Sequence, residues 1–152
     1  MQEAMDDRRE KEIKEFLNTI FSSGTEKIKL VHDEALTHSS SGLPNNQELA
    51  FLGDSVLRLI IREHNFNEHP DWNKRRLTVE SVVAEENEYF ARVASNLNIV
   101  EYIKFGKTYD NRPKDKEITT IQAEAFEALF GALYLDHGLD KATEIAKKLQ
   151  II

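Results

Sequence analysis

Three carboxylates in this 152-residue chain stand where apolar helices do not want them: Asp54, Glu124 and Glu127. Asp54 sits inside NNQELAFLGDSVLRLIIRE (residues 45–63), where Leu49, Leu52, Val56, Leu59 and Ile60 recur at helical spacing as a stripe to be buried. Gly53 beside it disfavours a helix interior by about 1 kcal/mol relative to alanine. Gln47, Ala50 and Arg58 share the face of Asp54, because residues three, four and seven apart stack on one side. Taken alone, this describes an amphipathic helix with Asp54 in water.

A second stretch, ITTIQAEAFEALFGALYLDHG (residues 118–138), repeats the design. Phe126, Leu129, Phe130 and Leu133 form its core stripe, while Glu124 and Glu127 share another face with Ala123, Ala128 and Gly131. Small residues on both helices would let them approach closely. If they cross, Asp54 and Glu127 meet with Glu124 beside them. Three carboxylates at one place raise each other's pKa values unless a cation holds them, and their hard oxygens suit magnesium.

The elements that would position these acids follow from periodicity. Residues 3–21 read as a first helix with Ile13, Phe16, Leu17 and Ile20 as its stripe, stopped by Ser22-Ser23-Gly24. A short helix is expected over 28–37, then a polar loop to Asn46, with Asn45 or Asn46 as N-cap of the Asp54 helix, which should end near His64. One long helix is expected over 75–97, with Leu77, Val79, Val82, Val83, Phe90 and Val93 in the core. A short helix over 100–105, a polar segment over 106–117, the Glu124 helix and a last helix over 140–149 complete the chain. Nothing reads as a strand, so the expected fold is all-α, one domain spanning 1–152.

Composition sets outer bounds. Hydrophobic residues at 40% suit a globular core, and no run approaches the roughly 18 apolar residues of a membrane span. The N-terminus begins acidic, unlike a secretory signal. The absence of cysteine removes disulfides and zinc-thiolate sites and is compatible with the cytoplasm, the expected location. A net charge of −7 weighs against nucleic-acid binding, but Lys74, Arg75, Arg76, Lys107 and Arg112 cluster as candidate phosphate contacts or as solvated surface. The spacing of His64, His69 and Asp71 matches no standard zinc pattern.

ALTHSS (residues 35–40), NNQELAFLGDSVL (45–57), LTVESVVAEENEYFARVASNLNI (77–99) and AEAFEALFGALYLDHG (123–138) together resemble the ribonuclease III family, over about residues 30–149. The resemblance implies a metal-dependent endoribonuclease that hydrolyses double-stranded RNA as a homodimer. Asp54, Glu124 and Glu127 would hold Mg2+, with Mn2+ as substitute, and Asp54 and Glu127 would be catalytic. Phe51 corresponds to the aromatic that inserts into the partner, against the alternative of a core residue in a monomer. His38 corresponds to a structural residue of the loop. The family commonly continues into a double-stranded-RNA-binding domain, which the residues to Ile152 do not include. RNA affinity is then expected from the nuclease domain itself or from a partner.

The pattern also departs from the family's. Gln47 replaces a glutamate, Ala50 replaces a glutamate that ligates metal, and Glu124 replaces an aspartate. Alanine before aromatic-Leu-Gly-Asp is similar to the compact Mini-III branch, whose arginine-rich loop this chain lacks. That branch works with a reduced set of acids; the missing carboxylate at Ala50 gives the alternative function, a catalytically impaired domain serving as an RNA-binding or scaffolding module.

Overall fold

The computed structural model describes residues 1–20, 34–42, 44–109 and 113–152. Among the described residues, five α-helices carry the fold: α1 (Gln2–Ile20), α2 (Gln47–Glu68), α3 (Lys74–Ala84), α4 (Asn87–Asn96) and α5 (Asp115–Lys148). Short 3-10 turns lie at Ser39–Ser41, Ile99–Tyr102 and Lys107–Tyr109. Among the described residues the sole β-type pairing is an isolated parallel bridge between Thr37 and Lys104, so the all-α expectation holds. No helix among them is long and apolar enough to cross a membrane. The stop at Ser22-Ser23-Gly24 and most of the helix expected over 28–37 lie outside the described residues.

The organising contact is the crossing of α2 and α5. A Cβ at Gly53 would overlap the backbone carbonyl of Glu127, and one at Gly131 would overlap that of Leu49. Position 53 faces 127 while 49 faces 131, so the helices run in opposite senses through the crossing. Nothing larger than hydrogen fits between these backbones, which is why glycine occupies helix-interior positions that otherwise disfavour it. Below the crossing, Leu49, Val56, Leu57, Ile60 and Ile61 of α2 join Phe126, Leu129, Phe130 and Leu133 of α5 in the core. Phe90 of α4 stacks on Phe126, and Phe126 tilts against Phe130. Beyond the acidic stretch, α5 breaks at Gly138, whose φ of +83° lies in the region glycine tolerates. The two helices expected from sequence on either side of residue 138 are therefore present as arms of one bent element.

Helix α1 buries Ile13, Phe16, Leu17 and Ile20 as expected, and Phe16 stacks on Tyr102. Arg9 donates to the carbonyls of Tyr102 (2.9 Å) and Leu36 (3.0 Å), tying α1 to two loops at once. The loop before α2 is locked by His38, which is buried between Phe105 and Tyr109. Its Nδ1 accepts from the backbone N–H of Ser40 at 3.1 Å, and burial lowers its pKa against the opposing pull of Glu124 and Glu117. The structural role expected for His38 matches these contacts. At the start of α2 it is the Asn45 side chain that accepts from the Gln47 N–H (3.1 Å), while Asn46 occupies the N-cap position without a side-chain capping bond.

Three expectations need correction. The single helix over 75–97 is two helices, α3 and α4, separated at Glu85–Glu86. Val79, Val82 and Val83 are exposed rather than core, because the break turns α3 so that Ser81, not a valine, faces inward. Leu59 is also exposed, and its place in the α2 core is taken by Leu57 and Ile61. In addition, α2 runs past His64 to Glu68, the helix expected over 100–105 is the 3-10 turn Ile99–Tyr102, and α5 already begins at Asp115.

Candidate active site

Where α2 and α5 cross, their polar faces open into a pocket of about 340 Å3 lined by Gln47, Ala50, Phe51, Asp54, Arg58, Asn87, Glu124 and Glu127. The three acids singled out in the sequence therefore share one cavity. Glu127 is the most enclosed, only 9% exposed, because the α2 backbone at Gly53 presses against its own main chain. Its carboxyl is pushed up to about 7 by burial first, then by the negative fields of Asp54 and Glu124, with Arg58 opposing. Glu124, one turn earlier on the same face, is half-buried, as is Asp54.

Asp54 is not free. The Arg58 Nε–H is shared between both of its oxygens at 2.9 Å each, the i,i+4 pairing that helix geometry favours. The same guanidinium donates to Glu85 Oε2 at 3.2 Å. Arg62, one turn further along α2, grips Glu85 with two bonds, Nε to Oε1 at 2.7 Å and an Nη to Oε2 at 3.0 Å. The Glu85 side chain is only 2% exposed, so the α3–α4 break drives a carboxylate inward onto two arginines of α2. A ladder results: Asp54, Arg58, Glu85, Arg62.

The donor set fits a hard divalent cation by its chemistry, since three carboxyl groups share one cavity and one of them carries a raised pKa that a cation would reverse. Among the described residues, however, no group of three or more such side chains is arranged to hold a metal as it stands. Ala50 contributes a buried methyl to the pocket wall, and Gln47 an amide.

The remaining expected residues lie elsewhere. Phe51 stands on the pocket rim, 82% exposed, which removes the core-residue alternative. Lys74, Arg75 and Arg76 are exposed at the start of α3, with the Arg76 guanidinium 4.4 Å above the Trp72 ring, and Lys107 is exposed in its 3-10 turn. None of these four lines the acid pocket. Arg112 lies outside the described residues. Sequence reasoning missed Glu85, Arg62 and Asn87. Arg58 carried a signal in its four-residue spacing from Asp54, and Arg62 in the same spacing from Arg58, whereas Glu85, 27 residues from Arg58, carried none.

Comparison with known proteins gives the same frame. Ribonuclease 3 of Thermobifida fusca is 36% identical over 143 residues, 91% of this chain and 58% of that protein. Ribonuclease 3 of Pelotomaculum thermopropionicum is 42% identical over 123 residues, 75% of this chain and 50% of the relative. The chain thus spans little more than half the length of these curated relatives. The nuclease domain of ribonuclease III from Campylobacter jejuni, solved in a study of structural flexibility in its dimer-forming region, superposes with a TM-score of 0.80 at 28% identity, covering 90% of this chain and 94% of that one. A second structure of that domain gives 0.78 at 29%, covering 89% and 91%. The pattern of the Ribonuclease-III-like family matches residues 29–151, and the crossing of α2 and α5 with its shared acids lies wholly within that span, so the chain belongs to the Ribonuclease-III-like family.

Proposed function

We propose that this chain is the nuclease domain of a divalent-metal-dependent endoribonuclease that hydrolyses double-stranded RNA as a homodimer in the cytoplasm. The observation that carries the reading is the shared pocket of Asp54, Glu124 and Glu127 at a backbone-tight helix crossing. Asp54 and Glu127 are the catalytic pair, and with Glu124 they are the residues that would hold the cation. Magnesium, or manganese in its place, supplies an activated water and neutralises charge on the departing oxygen when bound. Asn87 and Gln47 place neutral amides on the pocket wall, able to orient water or a phosphate oxygen without adding negative charge. Lys74, Arg75, Arg76, Lys107 and Arg112 are the proposed phosphate contacts, for a duplex recognised mainly by shape. Phe51, exposed on the rim, is the proposed anchor to the partner protomer.

A second reading, an RNA-binding or scaffolding module without cleavage, is favoured by Ala50 and by the Arg58 clasp on Asp54. Incubation of a labelled long RNA duplex with and without magnesium separates the two. Magnesium-dependent shortening of the duplex is expected. Retention of intact duplex on the protein at every magnesium concentration would establish the module instead.

A further inference from the structure

The ladder on α2 has a feature that the acid pocket alone does not explain: a fixed positive charge strung between a pocket acid and a buried anchor. Arg58 places Nε on both oxygens of Asp54 and an Nη on Glu85, which is itself secured by the two-bond grip of Arg62. A guanidinium held at both ends is pre-organised and loses little freedom in that position. We propose that Arg58 is an internal counter-cation of the acid pocket, a positioning residue that occupies Asp54 in the cation-free protein and yields it to a divalent cation, with Glu85 as the anchor that retains the released guanidinium. The inference rests on the divalent-cation reading above.

Three observations support it. The three acids line one cavity, yet among the described residues no three are arranged to hold a metal, and both oxygens of Asp54 are turned to Arg58. Glu85 is nearly sealed from solvent and already balanced by Arg62, so Arg58 keeps a partner when Asp54 leaves it. Arg58 itself is partly open to solvent, so it can shift without disturbing the core. Arg58 therefore competes with a cation for the same carboxylate and also repels it, and both effects weaken cation binding.

The test measures Mn2+ binding to the full 152-residue protein by loss of the free-ion paramagnetic resonance signal, near physiological ionic strength. Arg58→Gln should bind Mn2+ at least about tenfold more tightly than the parent, since it removes a unit charge adjacent to the site. Arg58→Lys, which keeps the charge but loses the planar fork, should fall between them. Arg62→Gln removes an equal charge from Glu85 without touching Asp54 and should stay within about twofold of the parent, which separates a local clasp from general electrostatics. Binding by Arg58→Gln where the parent shows none also supports the proposal. Equal or weaker binding by Arg58→Gln, with a parent that binds, overturns it and leaves the metal site standing. Absence of binding in every protein overturns both this inference and the divalent-cation reading.

Discussion

Replacing Glu127 with glutamine should make the protein more stable, and by an amount that depends on pH. The Glu127 carboxyl rises from 4.5 to about 7 on folding, first through burial and then through Asp54 and Glu124. Because the folded state holds this proton more tightly than the unfolded chain, its stabilising contribution is complete below about pH 4.5. It declines as pH climbs through the interval to about pH 7, where the unfolded carboxyl is ionised and the folded one must follow. The full interval corresponds to about 3 kcal/mol at 1.36 kcal/mol per tenfold change in proton affinity. Although the residue is only 9% exposed, its pocket opens to solvent, so screening leaves about 1–2 kcal/mol. Glutamine has nearly the same shape and no charge. Glu127→Gln should therefore unfold about 3–6 °C higher than the parent at pH 8 without divalent cations, and within about 1 °C of it at pH 4.5. Paired thermal melts at the two pH values, with a chelator present, check this. A parent and variant that differ equally at both pH values would refute the placement of Glu127 among mutually repelling acids. The same variant should lose magnesium-dependent cleavage.

Gly53→Ala should destabilise the fold by about 2 kcal/mol or more in urea melts despite alanine's better helix propensity, because its Cβ meets the Glu127 carbonyl and the two backbones must separate. Phe51→Ala should leave the unfolding of each protomer nearly unchanged, since the ring is 82% exposed, yet shift sedimentation from dimer to monomer at micromolar concentration. Ala50→Glu adds a carboxylate one turn before Asp54 on the pocket wall; it should lower stability without metal and tighten Mn2+ binding, both measurable by calorimetry.

Much of the frame was legible because apolar stripes at helical spacing report which side of a helix is buried. The four-residue stripe of α1 and the Phe126, Leu129, Phe130, Leu133 stripe of α5 are buried as read. Within α2, the run Val56, Leu57, Leu59, Ile60, Ile61 is apolar around more than one face, so periodicity could not rank Leu57 above Leu59. The α3–α4 break was hidden for a different reason. Glu85 and Glu86 are good helix formers, with no glycine or proline to mark a stop. Glu85 instead turns inward to arginines 27 and 23 residues earlier in the chain, a tertiary pairing that local propensity does not encode. The acid pocket was legible because glycines and small residues flank acids on both helices, which implied close crossing. Arg58's hold on Asp54 follows from their i,i+4 spacing.

The crossing and the chemistry it carries rest on different atoms. Gly53 and Gly131 fix the approach of α2 and α5 through backbone contacts alone, and the core beneath them is aliphatic and aromatic. Asp54, Glu124 and Gln47 take no part in those backbone contacts. Gln47 and Ala50 share the pocket wall with Asp54, Glu124 and Glu127 and add no charge to it. Fewer acids also alter what the pocket needs. With three carboxyl groups on the pocket wall, one guanidinium goes far toward balancing Asp54, Glu124 and Glu127, and a lone Arg58 is an effective counter-cation where a more acidic pocket would leave most of its charge uncompensated. The Arg58 clasp and the neutral residue at position 50 are thus coupled through one charge balance. Combining Ala50→Glu with Arg58→Gln should then tighten Mn2+ binding by more than either change alone.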